Sequence, residues 1–345
     1  MTATIIKYRK KSHALLSYEA LFRRIIKEYL RKESIIAYKR EKAGYDGERN
    51  VDYKLSTYPH KDFFVFQGIR LVNPPFHFQI DTLILTNRFF CILEVKNKQG
   101  IFKYDSRQQQ LTQEINGEVN SFKDPILQAE AQKTHLTSWL ERHGIFSIPI
   151  ETLVVIAYPS TIIENVTKDP DVYNKIIHNE SLHQRLDQLN AKYTNEMLTN
   201  PRLKKLCQTL LHEDIPLKAN ILQEHPLTNE HLIKGITCEK CSQHPMKRLY
   251  KKWQCPNCCA ASFNAHEQII LDHFLLHGTT ITNKECRELL QINSPRTART
   301  ILTNMGLQFS GKNSARKYYS PRINDFPQNS IFPFHQSSKK MPDSY

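Results

Sequence analysis

Two β-type runs, residues 79–86 and 89–97, flank the dipeptide Asn87-Arg88. A two-residue connection between such runs makes an antiparallel hairpin, and the hairpin dictates which side chains share a face. With Thr86 facing Phe89, Asp81 falls opposite Glu94 and Gln79 falls opposite Lys96. Leu83 opposite Ile92 and Leu85 opposite Phe90 continue that face. Ile80, Thr82 and Ile84 against Val95, Leu93 and Cys91 make the other, which is nearly all apolar. The hairpin therefore demands a packed layer and carries a polar cluster at one end.

Opposed Cβ atoms in a sheet lie ~4.5–5.5 Å apart, so two carboxylates there need a cation, a shared proton or a basic partner. Lys96 supplies one charge. A divalent metal held by Asp81, Glu94 and the Val95 carbonyl satisfies the rest. Mg²⁺ (or Mn²⁺) suits such a set, because it binds one or two carboxylates, keeps waters and meets phosphates. Lys96 lies two residues beyond Glu94 and points to the same side, where it can orient an attacking water or balance phosphate charge. A plain ion pair at a hairpin end is the simpler alternative.

The neighbouring sequence builds an α/β unit. A helix is expected over 45–56, strands over 63–72, 79–86 and 89–97, and a hairpin turn at Asn116-Gly117. Asp124-Pro125 opens a helix through Gln128, Gln132, Leu136 and Leu140 to Gly144, and 153–157 is a fully apolar strand. The order α-β-β-β-α-β gives a mixed sheet with helices.

Asp81…Glu94-Val95-Lys96 on consecutive strands resembles the PD-(D/E)xK nuclease superfamily, and the details resemble its NERD (nuclease-related domain) branch. Four blocks carry the likeness: Gly47-Glu48-Arg49, Gln79-Ile80-Asp81, Glu94-Val95-Lys96-Asn97 with Gly100, and Pro125-Ile126-Leu127-Gln128. They cover residues 44–158. The resemblance implies a restriction-endonuclease-like core and metal-dependent cleavage of DNA. By position it makes Asp81 and Glu94 metal ligands and Lys96 the catalytic lysine. It also matches Glu48 to an acid that assists the metal, and Gln128 to a polar residue after the core strands. Asp124 stands where the pattern often has Asn. Read alone, Glu48 is equally a helix-dipole partner and Gln128 a solvated residue.

Five of the eight cysteines lie between Cys238 and Cys259. Cys238-x2-Cys241 and Cys255-x2-Cys258 are separated by 13 residues, a spacing for one structural Zn²⁺ held by four thiolates in a ribbon over 236–262. Cys259 is an alternative to Cys258, which the CxxC spacing favours. Lys247, Arg248, Lys251 and Lys252 beside Tyr250 and Trp253 suit phosphate contact and base stacking. Residues 264–320 resemble a winged helix-turn-helix. Its recognition helix spans 294–305 with Arg296 and Arg299, and its wing contains Gly311-Lys312-Asn313. A helical protein-interaction bundle is the competing reading.

Charge separates along the chain. Residues 1–43 are net +8, 231–345 net +9 and 44–230 net −3. Basic ends around a near-neutral centre suit a polyanion, with most phosphate contacts at the ends. Residues 14–40 form a basic amphipathic helix by periodicity, placed in a segment 1–43, with Leu15, Leu16, Ala20, Leu21, Ile25, Ile26, Tyr29 and Leu30 as its apolar stripe. Residues 159–235 read as helical and 321–345 as a disordered tail. Gly is scarce, 10 in 345 residues, and no Gly-rich phosphate loop occurs, which argues against P-loop NTPases and Rossmann enzymes. No apolar run approaches a membrane span and no leader is evident, so the expectation is a cytoplasmic protein without membrane insertion. The combined expectation is a Mg²⁺-dependent deoxyribonuclease whose C-terminal modules hold DNA. Its rivals are a catalytically silent nuclease fold that binds DNA or regulates, and a protein-interaction module.

Overall fold

The computed structural model describes residues 2–329. It divides into two compact units: the chain up to Arg9 together with Arg40–Leu217, and Lys10–Lys39 together with the chain from Lys218. This differs from the expected segments. The N-terminal 43 residues are shared between the units, and the 159–235 region divides at Leu217.

Strand β1 (Thr4–Lys7) opens the chain and is followed by α1 (His13–Arg24) and α2 (Lys32–Ser56). The single helix expected over 14–40 is thus two helices. The chain leaves α1 at Ile25, which is extended and bridges Leu232, while the Ile26 N–H donates to the His231 carbonyl at 2.9 Å. Leu15, Leu16, Ala20 and Leu21 are buried as the stripe predicts, but Tyr29 and Leu30 are exposed because they lie past the break.

The first unit is built on β2 (Phe64–Asn73), β3 (Phe76–Leu85) and β4 (Phe90–Lys96). A smaller set follows, β5 (Ile101–Asp105), β6 (Gln110–Ile115) and β7 (Glu118–Phe122). Then come α3 (Pro125–Arg142), β8 (Ile150–Ile156), β9 (Ile162–Asn165), α4 (Pro170–Lys175) and β10 (Ile176–His178). Helices α5 (Leu182–Lys192) and α6 (Asn200–His212) complete it. The six-stranded sheet has the order β1-β2-β3-β4-β8-β10 and is mixed, with β4, β8 and β10 parallel and β2, β3 and β4 antiparallel. The 159–235 region is therefore not all helical, since β10 supplies an edge strand of the main sheet.

Strand alternation sorts the core. Phe90 and Ile92 of β4 pack with Leu136, Trp139 and Leu140 of α3 and with Leu203, Leu206 and Leu210 of α6. Cys91 and Leu93, one residue out of phase, pack with Val51 and Leu55 of α2 and with Leu182, Leu186 and Leu189 of α5. Glu94 continues the phase of Phe90 and Ile92 and lies on the α3 side. In β3 the alternation breaks between Ile80 and Leu83, since both join the α3-side core with Phe78 and Leu85, so Ile80 does not share the face of Ile84 as the hairpin register predicts. The second sheet, β7-β6-β5-β9, contains the predicted turn. Asn116 and Gly117 both have positive φ, 51° and 82°, as a type I′ turn requires.

In the second unit α7 (Ile221–Glu224) precedes a three-stranded ribbon, β11 (Lys247–Arg248), β12 (Trp253–Gln254) and β13 (Ala261–Ser262). Next are α8 (Ala265–His277), β14 (Thr280–Thr282), α9 (Asn283–Leu290), α10 (Pro295–Asn304), β15 (Phe309–Ser310) and β16 (Lys317–Tyr319). Helix, strand, two helices and a hairpin, with strand order β14-β16-β15, is a winged-helix topology. Thr282 and Glu285 form a capping box and Ser294 caps α10. Ribbon and winged helix are not separate domains. Trp253, Cys238 and Cys255 share one core with Ile270, Phe274, Leu302 and, from α1, Leu16 and Leu21. The Trp253 indole N–H donates to His266 Nδ1 at 3.1 Å. The tail also starts later than residue 321, because Phe326 is buried in this core. The rest of it, residues 330–345, lies outside the described residues.

One contact sets the distance between α2 and the end of β4. A Cβ on Gly47 would stand 2.1 Å from Asn97 Cβ, whereas Gly44 has nothing within 4 Å. The Asn97 side-chain amide donates to the Ala43 carbonyl at 2.7 Å. Gly44→Ala should therefore raise the stability measured in urea melts, by up to ~1 kcal/mol from helix propensity. Gly47→Ala should lower it by ~1–3 kcal/mol, because overpacking outweighs the same propensity gain. Equal effects of the two substitutions would rule out the close approach.

Candidate functional site

The β3–β4 ladder has the predicted register, pairing Leu85 with Phe90, Ile84 with Cys91, Leu83 with Ile92 and Thr82 with Leu93. It ends there. Neither Asp81 and Glu94 nor Gln79 and Lys96 are ladder pairs. The cause is local. Asp81 Oδ2 accepts the Val95 N–H at 2.9 Å, a bond that takes the place of the next backbone rung. The Lys96 carbonyl accepts the Ala157 N–H on the β8 side. Alternation along a strand then turns the Val95 N–H and carbonyl toward Asp81.

Glu94 is only 2% exposed and lies under α3. Its Oε1 accepts from Lys96 Nζ at 2.7 Å and its Oε2 from Gln132 Nε2 at 2.7 Å. Lys96 Nζ also donates to Gln128 Oε1 at 3.0 Å. Glu48 reaches the cluster from α2, where it pairs with the guanidinium of Arg9. Arg9 Nε donates to Asp52 Oδ2 at 2.6 Å, and Nη2 donates to the Asp81 carbonyl at 2.7 Å and to Thr82 Oγ1 at 3.1 Å. The chain thus brings Glu48, Asp81, Glu94, Val95, Lys96 and Gln128 into one neighbourhood. Asp124 serves as the α3 cap, accepting the Ile126 and Leu127 N–H groups and the Tyr104 hydroxyl.

Arg9, Asp52 and Gln132 complete the site without having been singled out in the sequence. A signal existed for Arg9. Glu48 and Asp52 stand at i and i+4 on one helix face, and like charges there require a cation from elsewhere. Gln132, one turn after Gln128, is a polar residue on an otherwise buried helix face.

The carboxylates are strained electrostatically. Burial, then the Asp81 charge, pushes Glu94 up to about 7, against the pull of Lys96 and Gln132. Burial pushes Glu48 up to about 8 although Arg9 opposes it, and Asp81, Asp52 and Glu94 add to the rise. Asp81 is raised by burial despite the Val95 N–H, Arg9 and Lys96. The donor set is oxygen only, three carboxylates and a peptide carbonyl, which suits a hard cation such as Mg²⁺ or Mn²⁺. Gln132 Oε1 is buried with no hydrogen-bond partner among the described residues. Each acid has a partner of its own: Arg9 for Glu48, the Val95 N–H for Asp81, and Lys96 and Gln132 for Glu94. Among the described residues, the only His/Cys/Asp/Glu group of three or more whose ligand atoms all lie within 4.8 Å is the four cysteines.

That group is Cys238, Cys241, Cys255 and Cys258, with Sγ–Sγ separations of 3.6 Å for Cys238–Cys258 and 3.4 Å for Cys241–Cys255. A tetrahedron with Zn–S of about 2.3 Å has edges of about 3.8 Å, so four thiolates here can hold zinc. Cys259 is exposed and outside the group. Of the basic residues singled out, Lys247, Lys251, Arg296, Arg299 and Lys312 are exposed and Lys252 is half-buried. Arg248 is folded over the Trp253 ring at 5.0 Å.

A mixed sheet ending in clustered acids and a lysine defines a nuclease-like fold. Residues 43–157 match the family described as the nuclease-related domain, so the first unit carries a NERD domain, in keeping with the PD-(D/E)xK superfamily. Among solved structures, the crystal structure of protein VC1899 from Vibrio cholerae is similar at 12% identity and a TM-score of 0.26. The match covers 48% of this chain, and the chain spans only 36% of that one. No curated protein matches. Among the described residues no helix is long and apolar enough to cross a membrane.

Two outcomes follow from the geometry. Protein purified anaerobically should contain one zinc per chain by elemental analysis. Cys241→Ser should lose it and Cys259→Ser should keep it; zinc retained by Cys241→Ser would break the assignment. The second concerns Glu94. A carboxyl raised from 4.5 to about 7 contributes stability that is full below the unfolded value and is lost as pH rises through the folded one. Without added divalent metal, Glu94→Gln should match the parent near pH 5 and be more stable by ~1–3 kcal/mol at pH 8. Urea melts at both pH values measure this, and a variant less stable at pH 8 would show that Glu94 is not under electrostatic strain.

Proposed function

We propose that the protein is a metal-dependent deoxyribonuclease whose zinc ribbon and winged helix hold DNA. The observation that carries this reading is the Asp81, Glu94, Val95 and Lys96 group at the point where β3 and β4 part, with Glu48 beside it. A buried acidic cluster that is costly to the fold is what a metal-dependent phosphoryl-transfer site requires. Asp81, Glu94 and the Val95 carbonyl would hold Mg²⁺ or Mn²⁺, with Glu48 in support. The ion would activate water and neutralise charge on the phosphate.

The chain's own residues do the positioning. Gln132 fixes one oxygen of Glu94, so the other stays toward Lys96. Gln128 and Glu94 hold the Lys96 ammonium at the mouth of the site, where it orients the attacking water and balances charge developing on the phosphodiester. In the second unit Arg296 and Arg299 lie on the exposed face of α10, Lys312 lies in the wing, and Lys247, Lys251 and Lys252 stand around Tyr250, which is 85% exposed. Exposed cations beside an aromatic suit backbone contact and stacking.

The test is cleavage of supercoiled, linear and single-stranded DNA with Mg²⁺ or Mn²⁺. Asp81→Asn, Glu94→Gln and Lys96→Met should each lower the rate at least ~100-fold, of the size seen when one transition-state contact is removed. Full activity in Glu94→Gln would remove the site, and DNA binding without any metal-dependent cleavage would select a silent nuclease fold.

A further inference from the structure

Beyond Lys96 the chain places two more cations near that lysine, Lys98 and Arg40, and neither belongs to the site described above. Lys98 leaves the end of β4 with its carbonyl held by Thr161 Oγ1 at 2.6 Å. Its ammonium sits 3.1 Å from the centroid of the Phe122 ring, so the side chain is folded over an aromatic platform and not free in solvent. Arg40 comes from α2. It lies three and seven residues before Ala43 and Gly47, and so on the same helix face. That face meets Asn97, through the Ala43 carbonyl and the close approach at Gly47. Arg40 is therefore brought alongside residues 97 and 98.

Among the described residues neither Lys98 nor Arg40 has an ion-paired carboxylate, whereas Lys96 is held by Glu94 and Gln128. Burial and the charges of Lys96 and Arg40 all push the Lys98 ammonium below its usual range. Three cations gathered this closely repel one another, and an anion between them relieves the repulsion. A planar guanidinium with an ammonium on a fixed platform is a pair suited to phosphate oxygens.

We propose that Lys98 and Arg40 form a phosphate-binding pair that holds a nucleic-acid backbone phosphate next to Lys96. The ligand is a phosphodiester flanking the one to be cut, and the inference rests on the nuclease reading. It adds a contact inside the first unit to those at the basic ends. Arg40 belongs to the basic N-terminal stretch, while Lys98 comes from the near-neutral centre.

The test is a salt titration of duplex DNA binding by the full chain carrying Glu94→Gln, in Mg²⁺ without chelator so that bound zinc is undisturbed. Lys98→Gln and Arg40→Gln should each flatten the slope of log K against log salt by about 0.9, and the pair together by about 1.8. Lys98→Arg, which keeps the charge, should retain the parent slope. Lys204→Gln, an exposed lysine on α6 of the same unit, should leave the slope unchanged. Parent slopes for Lys98→Gln and Arg40→Gln, or an equal change for Lys204→Gln, would overturn the phosphate pair alone. No metal-dependent cleavage by the unsubstituted chain, or no salt-dependent binding by the Glu94→Gln parent, would overturn the nuclease reading and the pair with it.

Discussion

The buried guanidinium of Arg9 holds together parts of the first unit that charge would otherwise drive apart. It meets two acids of α2, Glu48 and Asp52, and the backbone of β3 at Asp81, from a position just past β1. Without a cation there, two carboxylates four residues apart on one helix would face the carboxylates at the end of the sheet. Losing one partner of a buried ion pair typically costs ~3–5 kcal/mol, because the remaining charge has lost both water and its counterion. Arg9 therefore permits the Glu48 and Asp52 face of α2 to pack against an acidic sheet end, and the pairing of β1 with β2 keeps it in place.

The same logic explains why the β3–β4 hairpin opens where it does. A regular sheet would have set Asp81 directly against Glu94. The chain instead spends the Asp81 carboxylate on the Val95 N–H and leaves Glu94 to Lys96 and Gln132. The parted strands give each acid its own donors, while burial still holds all three carboxyl groups above their ordinary range. Such a site lowers the stability of the fold that carries it, the usual relation between function and stability where charge must be held ready.

Much of this organisation was legible residue by residue. The register of Thr82 to Leu85 against Leu93 to Phe90, the Asn116-Gly117 turn, the Asp124-Pro125 helix start and the choice of four clustered cysteines all follow from short-range rules. In each, the deciding interaction joins residues close in sequence: a turn that needs positive φ, a cap one residue before its helix, a paired knuckle. Other features were hidden because their partners are distant. The periodic stripe of 14–40 does not reveal a break at Ile25, since the break is made by pairing with Leu232. The ribbon looked independent because Trp253 finds its partner His266 only after the following helix is placed.

Local sequence encodes the order of elements in the nuclease-related core, the two acids and lysine of one hairpin, and four cysteines at a spacing that can close on one metal. Packing sets where the hairpin parts, brings Arg9 to the α2 acids and Gln132 to Glu94, and places Lys98 near Arg40. The physical reason is range. Hydrogen-bond and dihedral preferences act within a few residues and can be read along the chain. Burial and charge compensation depend on which distant segments share a space, and that exists only once the sheet and its helices have packed.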